Sequence, residues 1–364
     1  MKISIIMRFH DNTASGGRKV IYDYANWLAN NNHQVEIVFL ADIPFELRKF
    51  NLIKHEVHFA KFIKRRREQL LISWFDLHPN IQLKAKYSFK SSEYKERDIV
   101  VACDYGIALH IAEAKYNLKK VVYFIQHDEK VYNDIKIVRD AWRLPVQKIV
   151  VATWLYNLVS QVDYRVSIVK NYVRTETFYV NNPIKNRTHT VSLINHPSRY
   201  KGVDTGLEAL HLVHDMYADL NVIFFGNPTA PHDMPSYVHY IQRADEQKLR
   251  DEIYNQSSIF LFPSVLEGWG LVATEAMACG AALVSTRNGG VEDFGLDGKT
   301  ALLSDVGDYR GLADSIISLF RDNDRRVMLA NEGKELVEQL TFKSSANKFE
   351  DVLIKIAKKD NVNG

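Results

Sequence analysis

The sequence predicts an α/β protein built from two doubly wound, parallel-sheet domains, and three observations carry that expectation. The chain has 364 residues, too many for one ordinary domain and enough for two of about 180 each. It opens with a strand, a glycine-containing loop, a helix and a second strand, and that rhythm restarts after a polar break at residues 180–187. On both sides of the break, apolar runs of strand length alternate with apolar residues at helical spacing, the pattern of parallel α/β units.

Each element has its own signal. Ile3 to Met7 is an unbroken apolar run, as expected of a buried strand, and a polar loop after it ends in Gly16-Gly17. Val20, Ile21, Tyr24, Trp27 and Leu28 then recur at helical spacing, and Val35 to Leu40 is the next strand. A long, less regular region follows, roughly 43–96. Strands are next predicted at residues 99–102, 121–125 and 149–151, with helices at 107–116 and 153–161. The stretch Val180-Asn181-Asn182-Pro183-Ile184-Lys185-Asn186-Arg187 has asparagine, proline and charge without apolar periodicity and reads as the linker, with hinges expected near Asn181–Pro183 and again before the final helix. Beyond it come strands at 190–194, 222–225, 259–262 and 282–285 and helices at 203–217, 249–255 and 271–279. Helices near 309–320, 324–339 and 343–358 close the chain. The expected domains are 1–180 and 181–342, with 343–364 as a terminal helical segment.

Composition narrows the function. Apolar residues at 46% and charged residues at 25% fit a soluble globular enzyme. A net charge of +3 is too small to argue for nucleic acid. Cys103 and Cys279 offer neither a disulfide framework nor a zinc spacing, so a reducing cytoplasm is the expected home. The apolar run at the start is too short for a secretory signal, and no stretch approaches the ~18–20 apolar residues of a membrane span. The 13 histidines show no HxxxH or HExxH spacing, so no zinc site is expected.

The most informative segment runs from Phe262 to Gly280. A strand ends, a turn bracketed by Gly268 and Gly270 follows around Trp269, and a helix begins near Leu271. Backbone N–H groups of such a turn and the positive helix end make an anion site suited to a diphosphate, and glycines let phosphate oxygens approach the main chain. Glu275 lies one turn into the helix, where side chains lean back toward the N-terminus and can reach ribose hydroxyls. Glu267, in the turn itself, can accept hydrogen bonds from a sugar. Spacing alone reads equally well as a tight turn followed by a solvated helix carboxylate.

Other segments carry weaker signals. In Arg199-Tyr200-Lys201-Gly202, a lysine at the mouth of a strand–helix crossover can neutralise a departing phosphate, and the plain alternative is a helix-start turn. The strand 121–125 runs straight into Gln126-His127-Asp128-Glu129, where His127 is a site candidate or a structural histidine. Gly16-Gly17 precedes a helix start expected at Arg18, with free N–H groups. Asp322-Asn323-Asp324 has the spacing of a metal-chelating pair, but it lies between two helices and reads as a cap. Lys61, Lys64, Arg65, Arg66 and Arg67 lie among Phe59, Phe62, Ile63, Leu70, Leu71, Trp74 and Phe75. That cluster is a solvated helix face or an amphipathic surface for an anionic bilayer.

Glu267, seven residues, Glu275, then Ala-Met-Ala-Cys-Gly and a strand, followed by a Gly289-Gly290 turn, resembles the signature of the retaining family-four glycosyltransferases. Weaker, ordered similarity runs from Gly16-Gly17 to the last helix. The resemblance implies the GT-B fold: two Rossmann-like domains facing a central cleft, with the C-terminal helix returning to the N-terminal domain. It implies acceptor binding by 1–180 and nucleotide-sugar binding by 181–342. Glu267 would contact the donor sugar, Glu275 the ribose, and Gly268, Trp269, Gly270 and Leu271 the pyrophosphate. Lys201 would face the leaving phosphate, His127 the sugar, and Gly16-Gly17 the diphosphate or the acceptor. Family members carry an arginine a few residues before the lysine; here His196 and Pro197 hold that window and Arg199 lies closer. The Tyr-Phe-Ile-Gln strand resembles bacterial members acting on rhamnose-containing polysaccharides.

The expectation is therefore a metal-independent, cofactor-free retaining hexosyltransferase of surface polysaccharide synthesis. It would move a sugar, with rhamnosyl from dTDP-rhamnose the specific case, to a saccharide or lipid-linked acceptor. It would be cytoplasmic, with peripheral contact at the inner face of the cell membrane through 59–75. Three alternatives stay open: an idle sugar-nucleotide-binding partner subunit, a hydrolase or epimerase on the same fold, and a phosphorylase needing lysine-bound pyridoxal phosphate.

Overall fold

A computed structural model of the chain describes residues 1–8, 12, 14–40, 72–131, 133–232 and 234–362. The chain divides into two compact units, one made of 1–170 with 346–364 and the other of 171–345.

The first unit holds a seven-stranded parallel sheet in the order β3-β2-β1-β4-β5-β6-β7. Its strands are β1 (Lys2–Arg8), β2 (Gln34–Leu40), β3 (Gln82–Lys86), β4 (Ile99–Ala102), β5 (Val121–Ile125), β6 (Gln147–Val150) and β7 (Val166–Ile168). The central strands are buried on both faces, which is why they read as continuous apolar runs. Helices α1 (Gly16–Asn30), α2 (Tyr105–Glu113), α3 (Ile135–Arg143) and α4 (Thr153–Ser160) connect them. Side chains of Ser15, Asp104 and Asp134 cap the first three. The α1 helix starts at Gly16 and not at Arg18, because Ser15 supplies the cap two residues earlier.

The second unit repeats the plan with six parallel strands in the order β10-β9-β8-β11-β12-β13. They are β8 (Thr190–Asn195), β9 (Asn221–Gly226), β10 (Val238–Gln242), β11 (Ile259–Phe262), β12 (Ala282–Thr286) and β13 (Ala301–Ser304). With α5 (Val203–Met216), α6 (Leu271–Ala278), α7 (Tyr309–Arg321) and α8 (Asn323–Glu338), they enclose a core of Val191, Leu193, Phe224, Leu261, Leu210 and Ile316 among others. The last helix, α9 (Phe342–Val362), returns residues 346 onward to the first unit. There Phe349 stacks on Tyr24 with ring centroids 4.4 Å apart, and Glu350 accepts hydrogen bonds from Trp27 (2.7 Å) and Asn31 (2.6 Å).

Four strands have no clear sequence signal: β3, β7, β10 and β13. All four are sheet edges. An edge strand keeps part of its surface wet, so Gln82-Leu83-Lys84-Ala85-Lys86 shows no apolar run.

The linker expectation fails. The unit boundary falls at 170/171, and residues 180–187 lie wholly within the second unit. Amides of Asn181 and Asn182 donate to Asn255 Oδ1 (2.8 and 3.2 Å). The buried Arg187 guanidinium donates to the carbonyl oxygens of Asn182 (2.9 Å), Ser257 (2.9 Å) and Cys279 (2.6 Å). The polar residues that suggested a loose connection are the ones that pin it within the second unit. Asp322 Oδ1 accepts from Arg325 N (2.9 Å), which makes it the α8 cap.

The basic cluster 61–67 and its neighbours Phe59, Phe62, Ile63, Leu70 and Leu71 lie outside the described residues. Trp74 and Phe75 are described, and both rings pack on Tyr22. Among the described residues no helix is long and apolar enough to cross a membrane.

Candidate functional site

In doubly wound sheets ligands bind beyond the carboxyl ends of the strands where the order reverses. In the second unit that point lies between β8 and β11. After Asn195 the chain runs through His196-Pro197-Ser198 into the turn Arg199–Lys201, then Gly202 and α5. After β11 it runs through Pro263 to Gly270 and into α6.

The two loops are laced together. Val265 N donates to Tyr200 O (2.8 Å). Gly202 has φ +62°, and a Cβ there would lie 1.9 Å from Pro263 O, so only glycine allows the approach. The lacing brings Lys201 and Glu267 together: Lys201 Nζ donates to Glu267 Oε1 at 2.7 Å, and Ser264 Oγ donates to the same oxygen at 2.8 Å. Glu267 N donates to Asn288 O (2.9 Å), fixing the carboxylate from behind. Glu267 is 8% exposed, and its Oε2 has no hydrogen-bond partner among the described residues. An acceptor is therefore left for a ligand hydroxyl, and the ammonium keeps protons for a second partner.

Gly270 has φ +111° and opens α6, whose first amides lie ahead of the intrahelical ladder. Trp269 is buried against Phe294, ring centroids 5.4 Å apart, so only its main chain is offered to a ligand. Leu271 starts the helix. One turn on, the half-buried Glu275 accepts a hydrogen bond at Oε2 from Tyr254 (3.2 Å). Burial, then the Glu275 charge, push the Tyr254 hydroxyl well above its ordinary value, so it stays a donor.

Arg199 is not drawn into this cluster. It is exposed, with its guanidinium 5.3 Å from the centroid of the Tyr200 ring. His196, which the sequence did not single out as a site residue, is exposed beyond β8 and feels the charges of both Lys201 and Glu267. Partial desolvation and then the Lys201 ammonium hold its imidazole below the usual range, with Glu267 opposing. Ser198 N donates to its Nδ1 (3.1 Å), so the ring proton of the neutral form lies on Nε2. Its only sequence signal is its place between a strand end and Lys201. Ser264, Asn288 and Tyr254 carry none of their own, since folding alone makes them neighbours of the two glutamates.

The first unit carries the remaining candidates. Gly16 and Gly17 form the first turn of α1, and Gln126 Nε2 donates to Gly17 O (3.1 Å). His127 follows as an exposed residue beyond β5. Next in the chain is a polar cluster absent from the expectations, buried at Glu129 and partly buried at Arg8 and Asp104. Arg8 at the end of β1 pairs with Asp104 beyond β4 (2.9 Å), and Glu129 accepts from Tyr105 N (2.8 Å) and hydrogen-bonds to the Tyr123 hydroxyl. The three catalytic candidates thus divide between units, Lys201 and Glu267 in the second and His127 in the first.

The family described as "Glycosyl transferases group 1" matches residues 175–336. The D-inositol 3-phosphate glycosyltransferase of Corynebacterium glutamicum is 26% identical over 191 residues, 49% of this chain and 46% of that protein. The N-acetyl-alpha-D-glucosaminyl L-malate synthase of Bacillus anthracis is 33% identical over 110 residues, 30% of this chain and 29% of that protein. The chain thus spans less than half the length of these curated relatives. Among solved structures, HepE of Anabaena in complex with UDP aligns with a TM-score of 0.74 at 13% identity, covering 98% of this chain and 100% of that one. That likeness shows the fold.

Proposed function

We propose that this chain, which has the GT-B fold and belongs to the glycosyl transferases group 1 family through its residues 175–336, transfers a sugar from a nucleoside diphosphate donor. One observation carries the reading: the 2.7 Å Lys201–Glu267 pair stands at the sheet's switch point, beside the amide-rich start of α6. A diphosphate placed on the Gly268–Leu271 amides meets a helix end and an ammonium, and both stabilise charge that grows as the sugar leaves. Glu267 Oε2 accepts a sugar hydroxyl, and Glu275 accepts the ribose hydroxyls. The acceptor hydroxyl attacks from the side the diphosphate is leaving and gives its proton to a donor phosphate oxygen, so the anomeric configuration is retained. No metal or cofactor is needed when a lysine and a helix end neutralise the leaving group.

The second unit holds the donor and the first the acceptor, a saccharide or lipid-linked molecule. His127 takes the part of the family's sugar-facing histidine, and Gly16-Gly17 that of its loop. The Tyr-Phe-Ile-Gln run at the end of β5 supports dTDP-rhamnose as a donor and surface polysaccharide as the product class. The cluster 61–67 supports peripheral contact with an anionic inner membrane face. The deciding experiment is a thermal-shift screen against UDP-, GDP- and dTDP-sugars, followed by turnover with and without saccharide acceptors. Stabilisation by one donor class and acceptor-dependent release of the diphosphate are expected. No response to any donor sinks the reading; release indifferent to acceptor makes the chain a hydrolase, and binding without turnover makes it an idle binder.

A further inference from the structure

Beyond β5 the chain makes a short polar loop that is fastened on both sides of His127. Gln126 donates to Gly17 O (3.1 Å), and Asp128 Oδ1 accepts from Lys130 N (3.0 Å). Glu129 is 3% exposed, and both of its carboxyl oxygens are engaged, one by Tyr105 N (2.8 Å) in the first turn of α2, the other by the Tyr123 hydroxyl on β5. Asn133 Nδ2 donates to Glu129 O (2.7 Å), and the Tyr105 hydroxyl donates to Asn133 Oδ1 (2.9 Å), closing the ring. His127 stands exposed inside this bracket, with only Asp128 between it and Glu129.

We propose that Glu129 is a positioning residue, a latch that fixes the backbone on which His127 stands; this rests on the transferase reading and on the part given there to His127. A chain reaches at most ~3.3–3.6 Å per residue, so fixing Gln126 and Glu129 leaves the imidazole little freedom beyond its own rotamers. A buried acid is a costly way to close a loop, and its hydrogen bonds are directional where apolar packing is not. Burial first, then the nearby Asp104 and Asp128 carboxylates, raise the Glu129 carboxyl well above its ordinary value, against the opposing Tyr123 bond and Arg8 charge. Glutamine copies the shape, keeps an acceptor for Tyr105 N, and turns its amide NH2 toward the Tyr123 hydroxyl oxygen as a donor.

The test is a kinetic double-mutant cycle on the full chain with Glu129→Ala, Glu129→Gln, Tyr123→Phe and His127→Ala, read with amide hydrogen exchange across 126–133. Displacing a positioned group costs up to about 100-fold in rate. Glu129→Ala should therefore lower kcat by about 10- to 100-fold, leave nucleotide affinity within about twofold, and cost nothing further in the His127→Ala background. Glu129→Gln should recover kcat to within about threefold, since it keeps the contacts. Tyr123→Phe is a milder break that serves where the alanine variant does not fold. Exchange should quicken in Glu129→Ala and stay slow in Glu129→Gln. Independent, multiplying losses, a silent His127→Ala, or unchanged exchange in Glu129→Ala each overturn the latch. Failure of the wild-type chain to transfer any sugar refutes the proposed function instead, and the exchange measurement still decides whether Glu129 holds the loop.

Discussion

At the carboxyl end of the first sheet, Glu129 lies 3% exposed against a backbone amide and a tyrosine hydroxyl. Beyond β11, at the carboxyl end of the second sheet, Glu267 lies 8% exposed against the ammonium of Lys201 and the hydroxyl of Ser264. Both carboxyls answer the cost of burial, but differently. Glu129 spends both oxygens on its own domain and is driven toward the neutral form, whereas Glu267 spends one oxygen, keeps a charged partner and leaves the other oxygen open. The first arrangement is closed and suits holding a loop; the second is unfinished and suits a ligand. Two carboxyls beyond strand ends of like sheets thus separate into architecture and chemistry by their hydrogen bonds.

The largest effect that can break this contrast is at Lys201. Lys201→Ala should lower kcat by about 10²–10³ while donor affinity changes little, because the phosphate charge grows in the transition state. Glu267→Gln, which keeps the shape but loses the charge pair, should cost about 10-fold or more, whereas Glu129→Gln should not. Steady-state kinetics with the donor found by the screen checks all three. Near-normal turnover in Lys201→Ala would move the chemistry away from this switch point.

The two ends of the contrast were unequally legible. Glu267, Gly268, Gly270 and Glu275 lie on one local run, where a strand end, a turn and a helix start place them together, and the family resemblance supplies the roles that spacing leaves open. Lys201 belongs to a second such run, and only the β8–β11 pairing with Gly202 against Pro263 shows that the two meet. The Arg8–Asp104–Glu129 cluster joins three strand ends far apart in sequence, and no spacing rule reaches across them. The edge strands were hidden for a different reason, since half-wet surfaces leave no apolar run. At 180–187 polarity reads as looseness, although Asn181, Asn182 and Arg187 find partners in the fold.

A smaller effect belongs to Glu275. A hydrogen bond to a charged group is worth about 1.5–3 kcal/mol, so Glu275→Ala should weaken nucleoside diphosphate binding about 10- to 100-fold by calorimetry. Glu275→Gln should be milder, since it keeps an acceptor for Tyr254 and for a ribose hydroxyl. Unchanged affinity in the alanine variant would make Glu275 a support for Tyr254 alone. Smaller again is the expected cost at the α8 cap: Asp322→Ala should lose about 1 kcal/mol of stability and leave turnover intact in EDTA. Activity lost in EDTA and restored by manganese would show that Lys201 and the α6 end do not neutralise the leaving group unaided.

The smallest expected effect is a pH-dependent tilt in stability, and it probes the protonation of Glu129 directly. Its folded-state acidity constant lies above the ordinary carboxyl value of 4.5, chiefly through burial and then through Asp104. Between those two values the folded chain holds a proton that the unfolded chain has released, so this group's stabilisation is full below pH 4.5 and is lost as pH rises. Glutamine at this position binds no proton in either state. The unfolding free energy of wild type minus that of Glu129→Gln should therefore fall as pH rises above 4.5, as read from urea midpoints at matched ionic strength. Subtracting the variant cancels the titration of every other group that the substitution leaves undisturbed. A difference that stays flat, or that rises with pH, would mean that the carboxyl is ionised in the fold. Glu129 would then be held as Glu267 is, as a charge.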